Sequence, residues 1–348
     1  MPPHAPPAEG AQPALRPESQ GDARNRAPIS DRRRVLVAGA TGAVGRSLLP
    51  ELVARGHTVG ALARHPGEIP PEIASFAVDA LDADAVRKAF DDFAPEVVVH
   101  QLTALPPATS LWRFDRDFEM TNRLRTEGTR NLLDAARQCS APRFVAQSFC
   151  GWPYARTGPA VKTEAAPLDP NPPARLRTTI NAIRELEALV LEASDLNGAV
   201  LRYGGFYGPN THLAPGSAMA ETIRKGRFPL IGDAQGVWSF AHIEDVASAT
   251  AIAAASDIPG LFNVVDDDPA TVADWLPFLA ATMGAPKPKR LPMWLARLLL
   301  PEHLRVMMTE ARGGSNALFR QTFGWRPRYP SWREGFPAVF HQQRTLGE

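Results

Sequence analysis

The chain has 348 residues, 44% of them hydrophobic, which is enough to bury a full core and a smaller companion lobe. Its 38 basic and 37 acidic residues cancel to a formal net charge of +1, so no global field draws it to nucleic acid or to an anionic membrane. No apolar run approaches the roughly 18 residues of a membrane helix and no signal-peptide segment opens the chain, while Cys139 and Cys150 are too few for a disulfide framework or a thiolate metal site. These features predict a cytoplasmic protein without a metal, a nucleic-acid partner or a membrane partner.

Residues 1–33 are rich in proline and lack a periodic apolar pattern, which predicts a disordered tail. From Val35 the pattern changes. Val35 to Ala38 reads as a strand ending in glycine, and the stretch through Leu48, Leu49, Leu52 and Val53 reads as an amphipathic helix. Strands are predicted over Val59–Leu62, Ser75–Val78, Val97–His100, Phe144–Ala146 and Gly198–Arg202, with helices over Ala83–Phe93, Asn122–Arg137 and Thr178–Ala193. Alternating strands and helices require parallel pairing through crossover helices, so the expected fold class is α/β: a Rossmann-type doubly wound sheet over 34–207. After Tyr207 the rhythm becomes irregular, with prolines at 209, 215, 286, 288 and 292 and an apolar patch from Trp294 to Leu300. Residues 208–348 are therefore expected to form mainly a smaller substrate-binding lobe, with segments returning to the sheet.

Gly39, Thr41, Gly42, Ala43, Val44 and Gly45 lie between the first strand and the first helix. Small residues at three-residue spacing let the chain turn sharply, bring bare amides to a diphosphate and pack helix on strand. In that context the glycines predict dinucleotide binding.

With that loop in place, the sequence resembles the extended and atypical short-chain dehydrogenase/reductase superfamily, the NAD-dependent epimerase/dehydratase group. Further marks are Asp79-Ala80-Leu81-Asp82, the His100 to Ala104 stretch, Asn122 with Gly128 to Leu133, Leu201 to Pro209 and Phe240 to Ala247. The resemblance implies that Asp79 and Ala80 lie near the adenine, Leu102, Thr103 and Ala104 near the ribose, and Gly204, Gly205 and Phe206 near the nicotinamide. Asn122, Gln147 and Tyr203 join the expected cofactor contacts. It implies a small-molecule substrate and is compatible with a homodimer.

At the end of the second strand the usual acidic position holds Ala63, followed by Arg64. A carboxylate there accepts bonds from ribose hydroxyls, whereas a guanidinium clamps a 2′-phosphate, so NADP is expected over NAD.

Typical relatives carry Tyr-x-x-x-Lys, and none of Tyr154, Tyr203, Tyr207 and Tyr329 is followed four residues later by lysine. Registering the helix on Glu187 puts Thr179 and Ile183 in those slots, and Phe149 falls where a hydroxyl is usual. Tyr154 is then the expected proton donor, with Ser148 as the polar partner and Lys162 or Arg156 activating it. The leading expectation is an NADP(H)-dependent oxidoreductase of a carbonyl or hydroxyl group. An epimerase or dehydratase with transient cofactor reduction and a non-catalytic NADP(H)-binding regulator are the alternatives. The Phe240 to Ala247 stretch is expected to anchor the later lobe.

Overall fold

The computed structural model describes residues 32–67, 69–106 and 113–341, so residues 1–31 of the predicted tail lie outside the described residues. Seven parallel strands form the main sheet: Arg34–Ala38 (β1), Thr58–Ala63 (β2), Ala74–Ala77 (β3), Val97–His100 (β4), Arg143–Phe149 (β5), Asn197–Tyr203 (β6) and Gly260–Val264 (β7). Their spatial order is β7-β6-β5-β4-β1-β2-β3, with the chain reversing direction across the sheet between β1 and β4. In such sheets ligands bind outside the carboxyl ends of the strands at that reversal.

β1 and β4 are apolar on both faces, a pattern that is stable only where helices cover both sides. Val35, Val37, Leu48 and Val246 belong to the core on one side, under helices Ala43–Ala54 (α1) and Ile243–Ala255 (here α6). Leu36, Phe90, Leu133 and Leu186 belong to the other, under Ala83–Phe93 (α2), Thr129–Gln138 (α4) and Ala174–Leu191 (α5). The helix predicted from Asn122 begins earlier, as Phe114–Arg123 (α3), and runs through the π-helical turn Leu124–Gly128 into α4. That wide turn shifts the buried face by a residue and places Arg125 inside the protein.

β7 has no counterpart in the predicted pattern because Asn263 interrupts its apolar run. The structure satisfies that polar side chain: it accepts from the Tyr154 hydroxyl at 2.5 Å and donates to the Ser315 carbonyl at 3.1 Å. The later lobe has its own core around Trp275, Phe240, Trp332 and Phe336. Of the aromatic and methionine residues near it, Trp275 and Met308 are core, whereas Trp294 is 67% exposed on helix Met293–Leu299. Asp245 at the start of α6 accepts from the amides of Arg328 at 2.6 Å and Tyr329 at 3.1 Å. His242 caps the same helix through Nδ1, and burial holds its pKa at about 4, so the cap is a neutral imidazole at physiological pH.

Candidate active site

The loop 39–45 joins β1 to α1 with Gly39 at φ +90°. A Cβ at Gly39 would sit 2.5 Å from the Gln101 carbonyl oxygen, and one at Gly45 would sit 2.5 Å from the Gly39 carbonyl oxygen. Both positions therefore require glycine, the first for conformation and closeness, the second for packing. The N-terminus of α1 begins at Gly42 without a side-chain cap or an acidic residue in its first turn. Bare amides with no competing side-chain carboxylate fit a diphosphate. Gly45→Ala is expected to weaken NADPH binding at least about tenfold, since the loop must shift to admit the methyl group. Fluorescence titration measures the loss, and circular dichroism checks that the fold persists.

Arg64 stands exposed at the end of β2, just after buried Ala63. It lines a cavity of about 440 Å³ together with Ala104, Leu105 and Pro106 and with Arg116, Asp117 and Met120 from α3. No ion pair involves Arg64 or Arg116 among the described residues. Arg116 escapes the sequence reading because only the fold brings α3 to the end of β2. Asp79 and Ala80 follow β3; the Asn131 amide donates to the Ala80 carbonyl at 2.9 Å, and Asp79 accepts from the Leu81 amide at 3.0 Å.

The loop after β4 is held by a defined histidine tautomer. His100 Nδ1 accepts from the Leu102 amide at 3.1 Å, while Nε2 lies 3.0 Å from Thr129 Oγ1, whose own proton goes to the Arg125 carbonyl. His100 therefore donates through Nε2, and burial together with the Arg125 charge lowers its pKa to about 4. The Ala104 amide donates to Thr121, and Thr103 is exposed at the loop's edge. Tyr203 accepts from Gln101 at 3.0 Å and, because the Thr250 proton goes to the Val246 carbonyl, donates to Thr250 at 2.7 Å. Its hydroxyl is thus committed to supporting the strands, and burial raises its pKa. Gly204, Gly205 and half-buried Phe206 follow; Gly205 donates to the Ser239 carbonyl at 2.8 Å, and Phe206 packs 5.7 Å from Tyr203. Gln147 is half-buried on β5, two residues before the end of the strand.

The expected catalytic group is dispersed. Tyr154 is 1% exposed, donates its hydroxyl to Asn263 at 2.5 Å and lies under the Arg202 guanidinium, 5.1 Å from the ring centroid. Burial raises its pKa far beyond the ordinary phenol range. A proton-donor role for Tyr154 does not fit this geometry, because the hydroxyl faces protein rather than the crevice. Ser148 donates to Glu187 at 2.7 Å, within a buried pair in which Arg202 donates to Glu187 at 2.7 and 2.6 Å. Lys162 is buried in the short strand Val161–Lys162, bonded to the Thr157 carbonyl, and burial and Arg312 lower its pKa. Among the described residues no hydrogen bond joins it to Tyr154. Arg156 is engaged by Asp169 and Glu310, both at 2.8 Å. On α5, Thr179 is buried and accepts from Asn122 at 3.1 Å, while Ile183 packs in an apolar cluster.

That cluster is what the crevice offers instead. Phe149, in register with Tyr203 at the end of β5, packs 5.4 Å from Trp152. Phe114 meets Trp152 edge-on at 5.9 Å and stacks on Phe118 at 4.2 Å. Phe118, Phe149, Trp152 and Met307 are all half-buried, so each leaves some apolar surface exposed. The aromatics were legible individually, but their convergence on one wall depends on α3 and the β5 loop meeting in space.

The fold agrees with that of known proteins. A TM-score of 0.68 relates the chain to a UDP-glucose 4-epimerase of Thermus thermophilus solved with NAD, at 26% identity over 89% of this chain and 99% of that one. The human epimerase family protein solved with NADPH gives 0.66, at 21% identity over 88% of this chain and 99% of that one, a likeness of fold. A "3-diazoavenalumate denitrifying reductase" of a Streptomyces species is 46% identical over 305 residues, covering 87% of this chain and 98% of that protein. The model of the NAD dependent epimerase/dehydratase family matches residues 35–264. With its glycine cradle at the head of α1, the chain belongs to the NAD dependent epimerase/dehydratase family, as an enzyme of the oxidoreductase or epimerase kind that uses a nicotinamide dinucleotide.

Proposed function

We propose that the protein is an NADP(H)-dependent reductase that removes a diazo group from a small aromatic acid and releases dinitrogen. The observation that carries this reading is the end of β5: Phe149 stands where a hydroxyl is usual, and the nearby Tyr154 hydroxyl is buried on Asn263. A carbonyl needs a proton on oxygen as hydride reaches carbon, and a positioned general acid contributes about 10²–10⁴ in rate. This crevice presents aromatic carbon in its place. The reduced nicotinamide, when bound, supplies the hydride. At a diazonium carbon the new C–H bond forms as the C–N bond breaks, its electron pair leaves with N₂, and no proton is taken up. The name of the Streptomyces relative describes a denitrifying reduction of a 3-diazo compound, which supports the same chemistry here.

Within this reading the amides of 39–45 hold the diphosphate, Arg64 and Arg116 take the 2′-phosphate, and Gly204 to Phe206 border the nicotinamide. Phe149 and Trp152 seat the flat ring and exclude water from the reacting carbon. The test uses NADPH with 3-carboxybenzenediazonium. One N₂ and one benzoate are expected for each NADPH oxidised, and oxidation without N₂ overturns the reading. Tyr154→Phe is expected to keep kcat within about threefold, since a proton donor would cost at least about a hundredfold.

A further inference from the structure

His303, on helix Glu302–Thr309 (here α7), is 1% exposed, and neither ring nitrogen has a hydrogen-bond partner. The other buried histidines differ: His57 accepts from the Arg33 amide, His100 uses both nitrogens, and His242 caps α6. Burying both nitrogens unpaired destabilises the protein, and such a group calls for a reason. Its position supplies one. The ring packs 5.3 Å from Phe114, the same residue that meets Trp152, and Met307 one turn along α7 belongs to the aromatic cluster. Arg175 at the start of α5 and Asp115 on α3 are the charges that act on the imidazole, the first of them favourable to an anion.

We infer that His303 is the substrate-recognising group of this crevice, donating a hydrogen bond to the carboxylate of an aromatic acid whose ring lies against Phe149 and Trp152. This deepens the proposed reductase reading and rests on it for the ring's place in the crevice. When the acid enters, the ring nitrogen exchanges an unpaired burial for a charge-assisted bond. The neutral imidazole suits that task because it offers one N–H without burying a permanent charge. A residue retained for stability would instead be bonded in the ligand-free protein.

The experiment exploits that opposition, using full-length protein saturated with NADPH. Replacement by an apolar ring removes the unpaired nitrogens, so His303→Phe is expected to raise the melting temperature, measured without any aromatic acid, by about 2–4 °C. The same change is expected to raise the Kd of the unreactive probe 3-methylbenzoate and the KM for 3-carboxybenzenediazonium each about tenfold, and to leave 3-methylbenzamide within about twofold. His303→Gln, which keeps a donor, is expected to recover part of the affinity. A melting temperature that falls, with 3-methylbenzoate affinity unchanged, overturns the assignment and makes His303 a packing residue. Failure of 3-methylbenzoate to bind the wild type overturns it as well. Binding that depends on His303 without any N₂ release overturns the diazo chemistry alone.

Discussion

Arg64→Ala raises the Kd for NADPH by about 10–100-fold and leaves NADH within about twofold of wild type, on the proposed cofactor preference. The range follows from losing one charge-assisted bond to phosphate, about 1.5–3 kcal/mol, in a position too exposed for a larger effect. Arg64 and Arg116 line the same cavity, so Arg116→Ala is expected to cost less than Arg64→Ala, and the double variant to lose nearly all preference for NADPH. Because both guanidiniums are solvent-exposed, raising ionic strength is expected to weaken NADPH more than NADH. Isothermal titration with both nucleotides measures these differences. Equal losses for NADPH and NADH in Arg64→Ala would place the arginine outside nucleotide selection.

The glycine loop and the strands around the proposed nucleotide site were legible because their pattern is local. The Gly39, Gly42 and Gly45 spacing, the strand before it and the helix after it lie within one contiguous segment, and the apolar runs of β1 and β4 announce strands covered on both faces. Arg64 follows from simple distance along the chain. The substrate half depends on residues that meet only after folding. Tyr154 was attractive because it follows β5, yet the orientation of its hydroxyl is set by Asn263 on β7, a strand whose apolar pattern Asn263 itself conceals. Phe114, Trp152 and His303 come from three separate segments, and no periodicity links them. The π-helical turn at Leu124–Gly128 was equally hidden, since the helical pattern reads smoothly through it while Arg125 turns inward.

Glu187→Gln is expected to be the most destabilising of the substitutions considered, because one carboxylate serves two buried cations. Arg202 donates to it twice and Ser148 once, and Arg125, whose pKa burial lowers to about 10, is also held by its charge. Neutralising Glu187 leaves two guanidiniums in a low-dielectric interior without a counter-charge, at a cost of about 3–5 kcal/mol. The melting temperature should fall by about 6–15 °C. Ser148→Ala removes only a neutral donor to the same oxygen and should cost about 1–2 kcal/mol. The reason for retaining so expensive a pair lies in where it sits. Ser148 is the residue before Phe149, and Arg202 precedes Tyr203, so the Glu187 carboxylate ties α5 to the ends of the two strands that carry the aromatic wall and the proposed nicotinamide border. Glu187→Gln combined with Arg202→Met removes one of the two stranded charges while retaining volume, and is expected to recover at least about half of the lost stability. Recovery of stability without recovery of turnover would mean that the pair positions the crevice as well as filling the core. A Glu187→Gln protein melting within about 2 °C of wild type would instead mean that water or a shifted side chain reaches Arg202.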